Sequence, residues 1–377
     1  MSSYWLDEPR PRLLPMSPPL DGRVDVAVVG GGVTGCACAH VLAAAGMRVR
    51  LYEAREVAGG ASGRNGGFAL WGGAMAYDEA REQLGGEQAR ALWRLTERYV
   101  DRMAELAGDA FRRTGSLRLG ADREERSSLE AEYEALREDG FEVEWRDDLP
   151  QPLVGRYHGA IFHPPDGSLQ PARWVRRLAA RAAEAGADLR EQSRVDSLVD
   201  LDADQVVLAT DGYTRDLLPE LDALIAPTRG QVVVTEPLER SLFPCPHYAR
   251  HGYDYWQQTP DSRLVAGGSR DAALAEEQTA EEATTEVIQG HLKRFVHELT
   301  GAAPRITHSW AGIFGTTEDR MPLAGRVPRH DGLWAACGYS GHGNVLGLTC
   351  GELVARAILG KAQPELELFD PARMLGS

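Results

Sequence analysis

Residues 24–54 read VDVAVVGGGVTGCACAHVLAAAGMRVRLYEA, and this stretch decides the fold. Val24, Val26, Val28 and Val29 form a short β-branched run. Gly30, Gly32 and Gly35 follow as a G-x-G-x-x-G turn at the spacing of a dinucleotide-binding fingerprint. The first glycine permits the tight turn, the second lets backbone N–H groups approach a pyrophosphate, and the third lets the next helix pack closely on its strand. That helix begins at Val33 and Thr34, and its N-terminus favours the phosphate charge through its dipole and unpaired amides. A second strand, 49–52, ends in Glu53, 23 positions after Gly30, where a carboxylate accepts the hydroxyls of an adenosine ribose.

Outside this stretch, 377 residues suit two intimate domains better than one core. Hydrophobic content of 43% with 26% charged residues is that of a well-packed soluble protein. A net charge of −15 and a pI near 5.2 argue against nucleic acid or an anionic membrane as partner. No apolar run approaches the ~20 residues that span a bilayer. The N-terminus, MSSYWLDEPRPRLLPMSPP, lacks the basic start and apolar centre of a signal peptide, so residues 1–21 read as a partly extended surface arm. Five cysteines without metal-ligand spacing fit reduced thiols in a cytoplasmic protein, and no metal is expected. Lys293 and Lys361 are the only lysines, which leaves few candidates for a catalytic one.

Along the chain, residues 58–73 (AGGASGRNGGFALWGG) are too glycine-rich for a regular element and suit backbone lying against a flat ligand. Residues 77–110 and 122–139 read as charged helices flanking a strand at 115–120. Pro171 opens a helix that Gly186 closes. Strands are expected at 187–195 and 205–209, then several antiparallel ones within 225–270, and a helix at about 280–299. Near the C-terminus a strand at 333–336 leads into CGYSGHGN, residues 337–344, and an apolar helix. A helix N-terminus behind a glycine loop can stabilise negative charge at the edge of a reduced flavin, which points to FAD.

The chain resembles the FAD-dependent amine and amino-acid oxidases of the D-amino-acid oxidase superfamily. It is most similar to γ-glutamylputrescine oxidase-type members, through YWLD at 4–7, ASGRNGG at 61–67, VVVTEPL at 232–238 and SGHG at 340–343. The fold class implied is α/β with an α+β substrate part. A Rossmann-type FAD domain is assembled from 22–75, 150–220 and 315–370, and a discontinuous antiparallel-sheet substrate domain from 76–149 and 221–314. By the resemblance the flavin ring lies along Ala61, Ser62, Arg64, Asn65, Gly66 and Gly67 on one side and Gly338, Gly341, His342, Gly343 and Asn344 on the other. Ala54 and Arg55 lie near the ribose, Val195 offers backbone to the adenine, and Thr210 and Gly212 adjoin the diphosphate.

The substrate positions depart from the family pattern. Counting back from the D-x-x-P-x-x-G turn at 319–325 places Phe314 where glycine oxidase-like relatives carry a carboxylate-binding arginine. Val345 stands where sarcosine oxidase has a lysine, and its other cationic contacts fall near Phe68 and Trp71. Gly312 replaces the cysteine that tethers flavin there, so FAD is expected to be non-covalent. An amine without an α-carboxylate is therefore the expected substrate, with Arg64, Arg229 or Arg270 as the residues left to supply a cation from elsewhere. Tyr253, Tyr255, Trp256, Trp310 and Phe314 are candidates for an aromatic cage. His342 is a candidate acid–base or flavin-contacting residue. The activity implied is oxidation of an amine CH–NH group, with hydride passing to flavin N5, the imine hydrolysed in water, and dioxygen reduced to hydrogen peroxide. The rivals are an amino-acid oxidase, a dehydrogenase that passes electrons to a carrier, and a non-catalytic flavin-binding module. Oligomeric state is not legible.

Overall fold

The valine-rich run at 24–29 lies at the middle of a six-stranded sheet and is buried on both faces, as a central parallel strand requires. The computed structural model describes residues 3–9 and 19–375. The sheet runs Leu323–Arg326, Leu333–Cys337, Ala203–Leu208, Val24–Val29, Val49–Tyr52, Asp188–Arg190. All its pairings are parallel except the outermost, Leu323–Arg326 against Leu333–Cys337. Helix Val33–Ala44 follows the first strand and is nearly all apolar, because helices Pro171–Glu184 and Gly343–Ile358 both pack on it. Gly351 makes that close contact possible: a Cβ there would stand 2.5 Å from the Thr34 carbonyl oxygen.

A second sheet of eight strands holds the other half of the molecule. Its order is Ile306–Thr316, Ala226–Pro237, Arg263–Gly268, Asp254–Gln258, His247–Ala249, Ser116–Leu119, Ala160–His163, Glu144–Arg146. Only His247–Ala249 with Ser116–Leu119 is a parallel pair. Alternation divides its side chains between two faces. Trp256 is fully buried on the face covered by helix Glu286–Thr300, among Phe243, His247 and Phe295, so it leaves the expected aromatic cage. A small third sheet joins Phe68–Ala69, Gly167–Leu169 and Phe111–Arg112.

Several boundaries differ from expectation. The stretch 77–110 is two helices, Tyr77–Leu84 and Gly86–Ala107, broken where Gly85 takes φ 87°. Ala160–His163 pairs with Ser116–Leu119 in the eight-stranded sheet, so chain beyond residue 150 still builds the substrate side. The cut at 314/315 falls inside the strand Ile306–Thr316. The strand expected at 187–195 shrinks to Asp188–Arg190, and the helix expected from 280 starts at Glu286. Within the expected surface arm Ser3 and Trp5 are instead buried, and Trp5 Nε1 donates to the Asn65 carbonyl at 2.8 Å. The remainder of that arm, 1–2 and 10–18, lies outside the described residues. All five cysteines are buried free thiols, and no helix among the described residues is long and apolar enough to cross a membrane.

Candidate active site

The fingerprint turn opens on a cavity of about 980 Å³ between the two large sheets. Gly30 has φ 114°, and a Cβ on it would lie 2.4 Å from the Ala209 carbonyl oxygen. Gly32 caps the helix, and a Cβ there would lie 2.8 Å from Ser62 Oγ, which itself accepts the Val33 N–H at 3.0 Å. The glycines thus keep side chains out of the groove, while the Gly30, Gly31 and Val33 amides are bonded to the Tyr52 carbonyl, Glu53 and Ser62. Glu53 lines the groove, with one carboxylate oxygen accepting Gly31 N–H (2.7 Å) and the other Arg55 N–H (2.8 Å). Each oxygen keeps a further lone pair for a hydroxyl.

Of the other sequence-predicted cofactor residues, Val33, Thr34, Ala54, Arg55, Ala61, Ser62, Arg64, Asn65, Gly66, Val195, Thr210, Gly341, His342, Gly343 and Asn344 also line the cavity. Gly35, Gly67, Gly212 and Gly338 do not. They are close-packing glycines whose Cβ would meet, respectively, the Gly30 carbonyl, the Gln257 amide, the Phe314 backbone and the Thr317 methyl. The two flavin-loop candidates are tied together: Asn344 Nδ2 donates to the Phe68 carbonyl at 2.7 Å and faces the Asn65 amide. Asp211, between Thr210 and Gly212, has a role the sequence did not specify at the base of the 338–344 loop. Its buried carboxylate accepts the N–H groups of Gly315 (3.0 Å) and Gly338 (2.9 Å), joining three distant segments, and burial raises its pKa. Sequence reasoning missed Glu282, which reaches across from the other side of the cleft to Arg55 and Tyr213.

The far wall is one face of the eight-stranded sheet. Register sets Thr228 beside Phe314, Gly230 beside Gly312, and Tyr255 beside both Gly267 and Tyr248. The glycines leave room for the rings: a Cβ on Gly230 would lie 3.4 Å from Phe314, and one on Gly267 only 2.5 Å from the Tyr255 hydroxyl. The same rings face the two flavin loops, Tyr255 towards Gly66 (3.0 Å from its virtual Cβ) and Phe314 towards Gly341 (3.8 Å). Tyr253, Phe68 and Trp71 complete the apolar lining. Trp310 does not line it. Its ring is buried in the core and its Nε1 donates to the Arg64 carbonyl at 2.8 Å.

A glycine turn free of side chains at a helix N-terminus, a carboxylate at the end of the second strand and two glycine loops facing an aromatic wall fit a flavin dinucleotide, and the family comparison agrees. A family model described as DAO, FAD dependent oxidoreductase, matches residues 25–357. The chain belongs to the DAO family. "Probable oxidoreductase OrdL" of Rhizobium meliloti (strain 1021) is 32% identical over 94% of this chain and 88% of its own length. "Gamma-glutamylputrescine oxidoreductase" of Escherichia coli (strain K12) is 30% identical, covering 92% and 85% respectively. The solved glycine oxidase of Geobacillus kaustophilus superposes with a TM-score of 0.78 at 25% identity, over 94% of this chain and 100% of that one. This DAO-family chain is accordingly an FAD-dependent oxidoreductase.

In this DAO-family cavity the Tyr255 hydroxyl and the His342 imidazole are both neutral. Burial pushes the Tyr255 hydroxyl up to about 12 and the His342 imidazole down to about 4. His342 is the N-cap of helix Gly343–Ile358 and lines the cavity. The three arginines held in reserve part ways. Arg229 lies outside the cavity lining, clamped by both carboxylate oxygens of Glu277 at 2.9 and 3.0 Å. Arg64 donates to the Gly59 carbonyl at 2.8 Å and lies 3.6 Å from Glu282. Arg270 stacks 4.6 Å above the Tyr253 ring and 5.8 Å from Phe314. Every other arginine lining the cavity has a carboxylate within 4 Å: Arg55, Arg118, Arg194, Arg215, Arg320 and Arg64. Among the described residues Arg270 alone is left open.

Proposed function

We propose that the chain oxidises the CH–NH bond of an amine to an imine, which water hydrolyses, with dioxygen as the final electron acceptor. FAD, when bound, supplies the hydride acceptor and the route for the electrons to oxygen. The chain's residues do the rest. Tyr255, Phe314 and Tyr253 desolvate the substrate nitrogen, which lowers an ammonium pKa and favours the neutral amine that hydride loss requires. The Tyr255 hydroxyl stays protonated and offers a hydrogen bond without taking part as a base. The observation that carries this reading is the pair Tyr255 and Phe314, neutral and facing both flavin loops. The name of the Escherichia coli relative, which puts an amine among the family's reductants, supports it.

Arg270 favours a second reading. A half-buried guanidinium beside Phe314 with no carboxylate of its own is a partner for the carboxylate of an amino acid, so the cation missing at position 314 is supplied from a neighbouring loop. Anaerobic stopped-flow reduction of the flavin by matched pairs such as ethylamine and D-alanine decides between the two. Faster reduction by the amine supports the first reading, and faster reduction by the carboxylate member overturns it. Oxygen uptake with peroxide release, compared with dye-coupled turnover, separates an oxidase from a dehydrogenase that feeds a carrier.

A further inference from the structure

Among the described residues, Arg250 and His251 are the one successive pair of non-glycine positions in the left-handed backbone region, at φ 52° and 53°. A side chain with a Cβ enters that region at a cost, which is why glycine or asparagine is the common choice there. The pair opens the loop 250–253 between strands His247–Ala249 and Asp254–Gln258, closed by the Tyr253 N–H on the Arg250 carbonyl at 2.9 Å. Backbone strain of this kind persists only where its surroundings hold it, and it collects at functional sites. His251, Gly252 and Tyr253 all line the cavity.

The holder is Glu125, buried in the first turn of helix Arg123–Glu138. One of its carboxylate oxygens accepts the His251 N–H at 2.7 Å, and the other accepts the Arg250 N–H at 3.1 Å and the Ala121 N–H at 2.8 Å. A charged acceptor for both amides of the left-handed pair offsets their backbone cost. Glu125 lies outside the cavity lining and acts on it through the loop. At the loop's end the Tyr253 carbonyl accepts the Ser269 N–H at 2.5 Å, and a Cβ on Gly268 would lie 1.9 Å from that carbonyl oxygen. The loop is thus pressed against the next strand, with the Tyr253 ring 4.6 Å below the Arg270 guanidinium and that guanidinium 5.8 Å from Phe314.

We propose that Glu125 is a positioning residue for the substrate side of the cavity: it holds loop 250–253 in its left-handed form and so fixes Tyr253, with Arg270 stacked on it, beside Phe314. This rests on the substrate lying against Tyr253, as in the reading above. Tyr253 desolvates the nitrogen of an amine and Arg270 faces the carboxylate of an amino acid, so either class of substrate meets a group whose place the loop sets. Without the Glu125 carboxylate the loop relaxes towards ordinary backbone, and Tyr253 and Arg270 shift away from Phe314. Substrate binding then suffers, while FAD on the fingerprint turn of the other sheet does not.

Glu125→Gln keeps the size of the side chain and exchanges one acceptor oxygen for an NH2 group that faces the amide donors. In the FAD-loaded variant, hydrogen exchange across 247–258, read by mass spectrometry, is expected to quicken at least tenfold, with 24–35 unchanged. Anaerobic flavin reduction is followed with ethylamine and D-alanine. The half-saturating concentration of the faster reductant is expected to rise at least fivefold, with the limiting rate and the FAD dissociation constant within twofold of the parent. Arg250→Gly lifts the backbone cost, so Glu125→Gln made in that background should raise the half-saturating concentration less than twofold. Unchanged exchange, an unchanged half-saturating concentration, or an equal effect of Glu125→Gln in both backgrounds overturns the proposal. So does loss of FAD in step with weaker substrate binding, which would make Glu125 a residue of the fold at large. Faster reduction by D-alanine in every protein overturns the amine reading alone, because the change from parent to variant is then read on D-alanine. If neither probe reduces the flavin, that reading falls, and the exchange rate decides whether Glu125 holds the loop.

Discussion

Gly32 meets Ser62 so closely that any side chain there must displace the hydroxyl that holds the Val33 amide, as well as fill the space where a pyrophosphate approaches. Gly32→Val is expected to purify colourless, and stoichiometric FAD in that variant would remove the fingerprint from the binding site. Glu53→Gln keeps the shape of the side chain and weakens its charge-assisted hydrogen bonds, so FAD affinity should drop by about 1–3 kcal/mol, read by titrating apoprotein, with turnover at saturating FAD little changed. Arg270 decides substrate charge at this scale. If an amino-acid carboxylate lies against it, Arg270→Leu should cost that substrate about 2–5 kcal/mol of transition-state binding, more than tenfold in kcat/KM, and spare simple alkylamines. Equal loss for both classes would make Arg270 a packing residue. The sequence named Arg270 only as one of three candidates, because the pairing that disqualifies Arg229 comes from Glu277, a residue 48 positions away in the chain.

At the level of elements, the parallel strands and the fingerprint helix were legible because each is written in consecutive residues: a β-branched run, a glycine turn, an apolar helix. The wall of the substrate cavity was not. Its alternation was readable in DYWQQ, but which face of that strand points inward depends on which strands flank it, and His247–Ala249 and Ser116–Leu119 join it from distant parts of the chain. Trp256 and Trp310 were therefore grouped with Tyr255, although one lies on the opposite face and the other in the core. The glycine segments border the cavity, but not at every glycine singled out in the sequence, since Gly35, Gly67, Gly212 and Gly338 serve backbone packing at contacts that no spacing reveals. Helix packing gives a test at this scale. Gly351→Val places a branched side chain where even a Cβ would be 2.5 Å from the Thr34 carbonyl, on the helix that carries the fingerprint. Overpacking of this kind costs about 1–3 kcal/mol. The expected result is a lower Tm together with weaker FAD retention, and an unchanged Tm would mean that the two helices separate freely.

Across the whole molecule, stability is set against pH by buried groups of opposing sign. Burial holds His163 at about 3 and His247 and His342 at about 4, all below the ordinary histidine value. As pH falls below about 6.5 the unfolded chain takes up protons that these folded histidines refuse, so stability is lost on acidification. Asp166 and Asp254 act the other way. Burial raises them to about 7 and about 6, so they favour the folded state increasingly as pH drops from 7 towards the ordinary aspartate value. His40, lowered by burial, adds to the histidines' side, and Glu132 and Asp211, raised by burial, add to the aspartates' side. Asp166 is raised further than Asp254 by burial, against the Ser116 hydroxyl at 2.6 Å and the Trp71 N–H at 2.8 Å, which favour its charged form. Asp166→Asn removes that compensation, so the variant's Tm should fall more steeply than the parent's over the same interval when both are measured by thermal denaturation with FAD bound. A variant with the shallower slope would mean that Asp166 does not take up its proton in the folded state and that its effect on stability has been assigned the wrong sign.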